Sequence, residues 1–244
     1  QTALEALLFE KLALLEMDKK NRAIEEREKL NDLMDYYTLW AHQIKTPIAA
    51  SSLLVGEIED KKVKNQLEQE LFKIESYVNI VLQYLRLESF HEDLVLKKEN
   101  VEDLVKEIVK KYAIFFIQKG LSLNLHDLDR TIITDRKWFV VILEQVLSNS
   151  LKYTSQGGIE IYFQEDTLYI KDSGLGIQDA DLLRVFERGF SGYNGRLTQQ
   201  SSGLGLYLSK KIADELGHQI SIASQVGQGT TVMISFSEKK MIFE

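Results

Sequence analysis

Five short stretches of this 244-residue chain combine residue types capable of chemistry. Ala41-His42-Gln43-Ile44-Lys45-Thr46-Pro47 places an imidazole, a hydroxyl at i+4 and the only proline of the chain at i+5 on one helical run. An interior proline costs about 3 kcal/mol and frees the carbonyl four residues earlier, here that of Gln43. His42 lies about 200° around the helix from Trp40, away from the apolar seam, and Thr46 stands one turn further on the same outer face. For one histidine alone, the ordinary reading is a surface side chain beside a tolerated kink. The other four stretches remove that simplicity. LSNSLKYT, residues 147–154, ends a helix with an amide (Asn149), a cation (Lys152) and a phenol (Tyr153). Asp172, Gly174 and Gly176 follow a strand, where glycines permit close backbone approach. Gly203, Leu204, Gly205 and Leu206 lead into a helix, whose bare N–H groups and positive dipole end suit phosphates. Gly227–Thr230 precedes the last strand. Each alone has a structural explanation, since glycine turns are commonly only turns and aspartate is a turn former. Their joint occurrence in this order is not explained so easily.

The elements that must position these residues follow from periodicity. Leu30, Leu33, Tyr37, Trp40 and Ile44 mark the seam of one helix, and Leu67, Leu71, Ile74, Val78, Val81 and Leu85 that of a second. GEIEDKKVK, residues 56–64, loses the seam and reads as the hairpin turn. Two antiparallel amphipathic helices cannot bury both faces alone, so a two-fold dimer forming a four-helix bundle is the natural solution. Residues 1–29 form a looser helical lead-in. Past a boundary near residues 89–95, Leu94–Lys97 is expected as a strand and Val101–Gln118 as a helix ending at Gly120. Strands are expected at Leu121–Leu125, Ile159–Phe163, Thr167–Lys171, Ile220–Ala223 and Thr231–Phe236, with helices at Trp138–Lys152 and Leu204–Leu216. Helices and hairpin-like strands segregate, so the expected class is α+β, a sandwich rather than an alternating parallel sheet.

Composition narrows the function. With no cysteine there is no disulfide framework, thiolate metal site or cysteine catalysis. Thirty basic against 37 acidic side chains, net −7, argue against a nucleic-acid surface. No apolar run approaches the roughly 20 residues that span a bilayer. A soluble intracellular chain is expected, and its start at Gln1 without methionine implies excision from a longer protein. His91, His126 and His218 have no metal-like spacing and are expected as ordinary surface or linker histidines. Trp40, Tyr36 and Tyr37 are expected to pack by the seam, and Trp138 and Phe139 in a core.

AHQIKTP, SNSLKYT, DSGLGI, VFERGF, SSGLGLYLSKKI and GQGTTV together resemble the bacterial two-component sensor histidine kinases, over essentially the whole chain. HQIKTP with VFERGFSGYNGR is similar, within that family, to intramembrane-sensing kinases paired with antimicrobial-peptide transporters, such as bacitracin sensors. The resemblance implies a helical-hairpin dimerisation and histidine phosphotransfer domain over 30–90, and a GHKL-type ATP-binding α/β sandwich over 91–244. It implies that His42 is the phosphoacceptor, attacking the γ-phosphate of ATP in line. Asn149 would coordinate Mg²⁺, and Lys152 and Tyr153 would contact phosphate and nucleotide. Asp172 would accept the adenine amine, with Gly174 in the same turn, Gly176 letting the backbone pass close to the base, and Thr230 supporting that recognition. Gly203 and Gly205, with the amides of Leu204 and Leu206, would cradle phosphates. Phe186 would anchor a lid, and either Arg188 or Arg196 would reach the γ-phosphate. Thr46 stands at the family's phosphatase position. The implied partners are a second copy, a response-regulator receiver domain and a transporter in the membrane, with no nucleic acid; the chain would be the cytoplasmic portion of a cell-membrane protein.

Two positions depart from the family pattern. Gln43 stands where an acid usually follows the phosphoacceptor, and an amide cannot take a proton at neutral pH. Gln145, beside Glu144, replaces the first of two paired asparagines. These departures motivate an alternative, a degenerate member acting as a dimeric nucleotide-binding scaffold. A third reading, an ATPase of the gyrase–MutL type, is disfavoured by the His42–Pro47 segment on a helical hairpin.

Overall fold

A computed structural model describes residues 3–87, 90, 94–192 and 203–236. The chain divides into two compact units, Gln1–Glu88 and Ser89–Glu244. The first is a helical hairpin, α1 (Ala3–Gly56) and α2 (Lys61–Arg86). Asp60 caps α2 by accepting from the Lys62 and Val63 amides at 2.8 and 3.1 Å, so the helix restarts inside the segment expected as turn. Lys64 Nζ returns to the Gly56 carbonyl at 2.7 Å and closes the hairpin.

The seam differs from the expected one. Along the described part of α1 the covered line runs through Ala41, Ile48 and Val55, against Val78 and Ile80 of α2. Leu33 and Trp40 are exposed, as is Tyr36, which touches Tyr37 edge-on at 5.6 Å rather than a core. Leu53 and Leu54 remain 76% and 72% exposed. The apolar band is wider than one partner helix covers, and periodicity alone does not say which edge of it the hairpin takes. The side chains of Leu30 and of the early lead-in lie outside what the structure describes.

The second unit runs β1 (Lys97–Asn100), α3 (Val101–Lys119), β2 (Ser122–His126), β3 (Thr131–Thr134), α4 (Arg136–Tyr153), β4 (Gly158–Gln164), β5 (Thr167–Asp172) and α5 (Asp179–Leu182). It continues with α6 (Gly205–Glu215), β6 (Gln219–Gln225) and β7 (Gly229–Ser235). The main sheet has the order β2-β4-β5-β7-β6, parallel only between β2 and β4. Its inner face carries Ile159, Ile161, Phe163, Leu168, Ile170, Val232 and Ile234, all buried. It is matched by Phe139, Ile142, Leu143 and Leu147 of α4 and by Leu208, Ile212 and Ala213 of α6. Fully burying such a side chain contributes roughly 1.5–3 kcal/mol, so this α+β layer pair is the stabilising core. On the opposite face Tyr169, Tyr162 and His126 stack in a cross-strand row, with centroids 4.8 and 5.0 Å apart.

One strand expectation needs correcting, and β3 has no counterpart among the expected strands. Leu94–Lys97 is not a strand: β1 lies later because Lys97–Asn100 pairs with β3, from Lys97↔Thr134 to Asn100↔Thr131. The Val95 amide instead donates to Asp135 Oδ2 at 2.8 Å, while Asp135 Oδ1 caps α4 through the Trp138 amide at 3.1 Å. One side chain thus starts α4 and fastens the segment that enters the unit. Phe90 is buried there on Trp138, ring centroids 4.9 Å apart. β3 itself, TIIT, is too short to alternate legibly.

His218 is not a surface histidine. It is buried, with Nε2 3.0 Å from Thr134 Oγ1 and Phe139 and Phe236 against the ring. His91 lies outside the described residues, and His126 is half-exposed between Asp127 and Glu160. Burial lowers the His218 pKa from the ordinary 6.5 to about 4. Folding therefore favours the neutral ring. Its stabilising contribution is whole above pH 6.5 and is lost as pH falls from 6.5 toward 4. We expect thermal melts to show a drop in midpoint between pH 7 and pH 5 that is smaller in His218→Gln; equal slopes would refute this origin.

Candidate active site

The His42–Pro47 turn of α1 is built on the side away from α2. Ala41 and Ile48 are buried, whereas His42, Gln43, Thr46 and Pro47 are exposed. The helix continues through Pro47, which has no N–H to give the Gln43 carbonyl. Thr46 Oγ1 donates back to the His42 carbonyl at 3.2 Å, which sets the hydroxyl along the helix one turn below the imidazole.

In the second unit, the core face of α4 (Val146, Leu147, Ser150, Leu151) fixes what its other face presents. Gln145 and Asn149 follow one another at i,i+4, both half-buried, with Lys152 and Tyr153 at the end of the helix. Lys152 Nζ lies over the Tyr153 ring, 4.8 Å from its centroid. Gln145 reaches α6: a Cβ on Gly205, the first residue of that helix, would stand 2.6 Å from Gln145 Oε1. A side chain there would displace the Gln145 amide from the start of α6. Leu204 leads into α6 without any side-chain cap, so no side chain at that position competes for the first amides of the helix.

Asp172 ends β5 and is buried. Its Oδ1 accepts from the Gly174 amide at 2.9 Å and the Thr230 amide at 3.2 Å. Burial pushes its pKa up, and hydrogen bonds from the Gly174 amide, the Ser150 hydroxyl and the Thr230 amide pull it back down. Beside it, Thr154 Oγ1 is buried with no partner and would lie 2.9 Å from a Cβ on Gly174. The close approach at Gly176 is to protein: at φ +72°, a Cβ would run into the Gln225 carbonyl, with Val226 Cα at 2.9 Å. This ties the turn after β5 to the β6–β7 hairpin, and the Gly227 amide donates to the Leu175 carbonyl at 2.8 Å in the same place.

Two positioning residues escape the sequence. Ser224 Oγ donates to the Gly229 carbonyl at 2.8 Å, lies 2.9 Å from Thr230 Oγ1, and accepts from the Ile177 amide at 2.9 Å. Ser150 supports Asp172 from the buried face of α4. Serine is a common strand and helix filler, so nothing in one sequence marks either. In the segment between β5 and α6, Val185 is buried and Phe186 is half-buried. The base of that loop is pinched, with the Gly189 amide donating to the Gly203 carbonyl at 3.0 Å. Arg188 is exposed, while Arg196 lies outside the described residues, as do Ser201 and Ser202.

The donor set fits a nucleotide. It offers a buried carboxylate, a helix start without a side-chain cap and, on α4, an amide side chain that reaches that start. Among the described residues, no three His, Cys, Asp or Glu gather as a metal site. A Mg²⁺ site of few protein ligands completed by phosphates is the kind compatible with that set.

Comparison with known proteins agrees. Residues 134–240 match the family of histidine kinase-, DNA gyrase B- and HSP90-like ATPases. The chain is 35% identical over 240 residues to the sensor histidine kinase YxdK of Bacillus subtilis, covering 95% of this chain and 73% of that one. It is 34% identical to the sensor protein BceS of Halalkalibacterium halodurans over 88% of this chain and 64% of the relative. To the sensor protein kinase GraS of Staphylococcus aureus it is 35% identical, over 92% and 66%. These last two relatives are thus spanned over less than two thirds of their length. The fold matches full-length ShkA, solved with AMPPNP, at TM-score 0.61 and 20% identity over 83% of this chain and 46% of that one. It also matches the Acinetobacter baumannii histidine kinase AdeS at TM-score 0.55 and 20% identity, over 81% and 98%. The ATPase domain and the extended similarity to curated kinases place this chain in the sensor histidine kinase family, whose enzymatic class is ATP-dependent protein-histidine kinase.

Proposed function

We propose that the chain phosphorylates its own His42 from Mg-ATP and passes the phosphoryl group to an aspartate of a response regulator. The observation that carries this reading is the convergence of Gln145, one turn before Asn149, on the uncapped start of α6 in a unit whose buried Asp172 faces donors from three elements. Asp172 and Thr230 would hold adenine, and Gly203, Leu204, Gly205 and Leu206 the phosphates. Asn149, with Gln145, would hold Mg²⁺, which neutralises charge developing between phosphate oxygens. The exposed His42 imidazole forms a nitrogen–phosphorus bond as the bond from the γ-phosphorus to the bridging oxygen breaks, and ADP leaves. Its proton departs through water, since the neighbouring Gln43 amide is no base. Thr46 serves the reverse task, dephosphorylation of the regulator.

Residues 1–29 act as a lead-in, 30–90 as the dimerisation and phosphotransfer domain, and 91–244 as the catalytic domain. The exposed Leu53, Leu54 and Trp40 support burial of the hairpin against a second copy. The similarity to sensor proteins supports a cytoplasmic role beneath the bacterial membrane, and the resemblance carried by HQIKTP and VFERGFSGYNGR is what suggests a transporter as partner. No described helix is itself long and apolar enough to cross a membrane. Gln43 favours one second reading, a scaffold that binds nucleotide without transferring phosphate.

Incubation with ATP labelled at the γ-phosphate decides between these. We expect acid-labile, base-stable label on the wild type and none on His42→Ala. Label that persists in His42→Ala refutes the site; nucleotide binding without label, with label gained in Gln43→Glu, favours the scaffold. Thr46→Ala is expected to keep autophosphorylation but lose most dephosphorylation of a phosphorylated receiver domain; unchanged dephosphorylation sinks that role. Finally, adenine recognition needs Asp172 ionised, and burial raises its pKa. ATP affinity should therefore fall on acidification from a pH above the ordinary carboxylate range, and Ser150→Ala should move that fall to higher pH. Titration calorimetry across pH measures both, and a Ser150→Ala profile that overlays the wild type would count against the hydroxyl's role.

A further inference from the structure

Lys119 closes α3 and belongs to none of the motifs above. Its Nζ donates to the Leu151 carbonyl and, at 3.1 Å, to the Thr154 carbonyl. Those two residues bracket Lys152 and Tyr153. The Tyr153 carbonyl is taken by the Leu175 amide at 3.1 Å, so the end of α4 is held from two sides, by α3 and by the turn after β5. The position of Lys119 is itself fixed: the chain turns at Gly120, where the Leu121 amide returns to the Phe116 carbonyl at 3.0 Å. β2 then begins with the Ser122 amide on the Gly157 carbonyl at 2.9 Å.

The C-terminal end of a helix carries roughly half a negative charge on its unsatisfied carbonyls. Here that end also bears the groups assigned to a polyanion, an electrostatically unfavourable place for phosphates. An ammonium on two of those carbonyls removes much of the conflict. We propose that Lys119 is a positioning residue for the nucleotide: it fixes the turn that presents Asn149, Lys152 and Tyr153, and it offsets the negative end of α4. This inference rests on the nucleotide reading of that site.

A second tie between α3 and α4 supplies the comparison. Arg136, the first residue of α4, bridges Glu99 at 3.0 Å and Glu107 of α3 at 2.5 Å. It lies ~25 Å along the helix from the Lys119 contact at 1.5 Å per residue. Loss of either tie loosens the same helix pair, but only Lys119 acts at the proposed phosphate end.

The test is titration of the full chain with a fluorescent trinitrophenyl-ATP in Mg²⁺, below the melting midpoint of every variant. Lys119→Met should weaken binding about tenfold, Arg136→Met should stay within about twofold of wild type, and Lys119→Arg should recover most of the loss. If Lys119→Met does not fold, Lys119→Gln, which keeps a donor without the charge, is expected to show a weakening between those of Arg and Met. Wild-type affinity in the neutral variants, or equal weakening in Arg136→Met, overturns the proposal and leaves the nucleotide site standing. Failure of the wild type to bind the probe overturns the site reading and this inference with it.

Discussion

A buried carboxylate loses hydration that no single hydrogen bond replaces, so Asp172 is an anion only while several donors face it at once. Those donors come from the turn after β5, from β7 and from the buried side of α4. Much of the second unit follows from that requirement. β5 and β7 must pair with Asp172 opposite Thr230, because a slip of one residue would send the carboxylate to the outer face. α4 must lie on the sheet with Ser150 inward, which leaves Gln145 and Asn149 on a face free for α6. The turn must double back against the β6–β7 hairpin, which excludes a side chain at Gly176.

That arrangement was legible in the sequence to the extent that it depends on residues with restricted chemistry. The glycines after β5 and before α6, the strands that alternate, and α4 with its terminal amide and cation all announce themselves, because few other sequences do the same jobs. The failures are of two kinds. β3 and the true limits of β1 are four-residue strands that exist through pairing with each other, a long-range fact without a local period. His218, Ser150 and Ser224 matter through what surrounds them, and their residue types are at home in many places. The α1 seam is a milder case: the apolar band is legible, but the line that α2 covers, Ala41–Ile48–Val55, depends on how α2 docks. Phe186 is half-buried beside the buried Val185, and no local period distinguishes the two.

The His42–Pro47 turn of α1, proposed as the phosphoacceptor, meets a different constraint. It needs an imidazole free of packing on a helix that must nonetheless be packed. The heptad spacing of Ala41, Ile48 and Val55 keeps the covered line straight and leaves the opposite side open. Pro47 falls on that open side, where the carbonyl it releases at Gln43 can be hydrated, so the penalty for an interior proline is smaller than it would be against α2. Thr46, by donating to the His42 carbonyl, has its hydroxyl placed at the turn before any partner arrives. The residues proposed for phosphotransfer therefore occupy the part of α1 that contributes least to holding the hairpin together.

The two ends of the proposed nucleotide site differ in what makes them firm. The adenine end is assembled from strands already joined by the ladder of the five-stranded sheet, so its groups move only if the sheet does. The phosphate end is assembled from the tips of two helices, where the intrahelical ladder gives out. Their dipoles oppose each other in effect: the start of α6 attracts an anion and the end of α4 repels it. A site on helix tips gains exposed amides for phosphate recognition, but it must then supply the missing restraint and the missing charge by other means. The contact of α4 with Gly205, the Leu175 amide on Tyr153 and the cation at Leu151 and Thr154 are those means, and each comes from a different element.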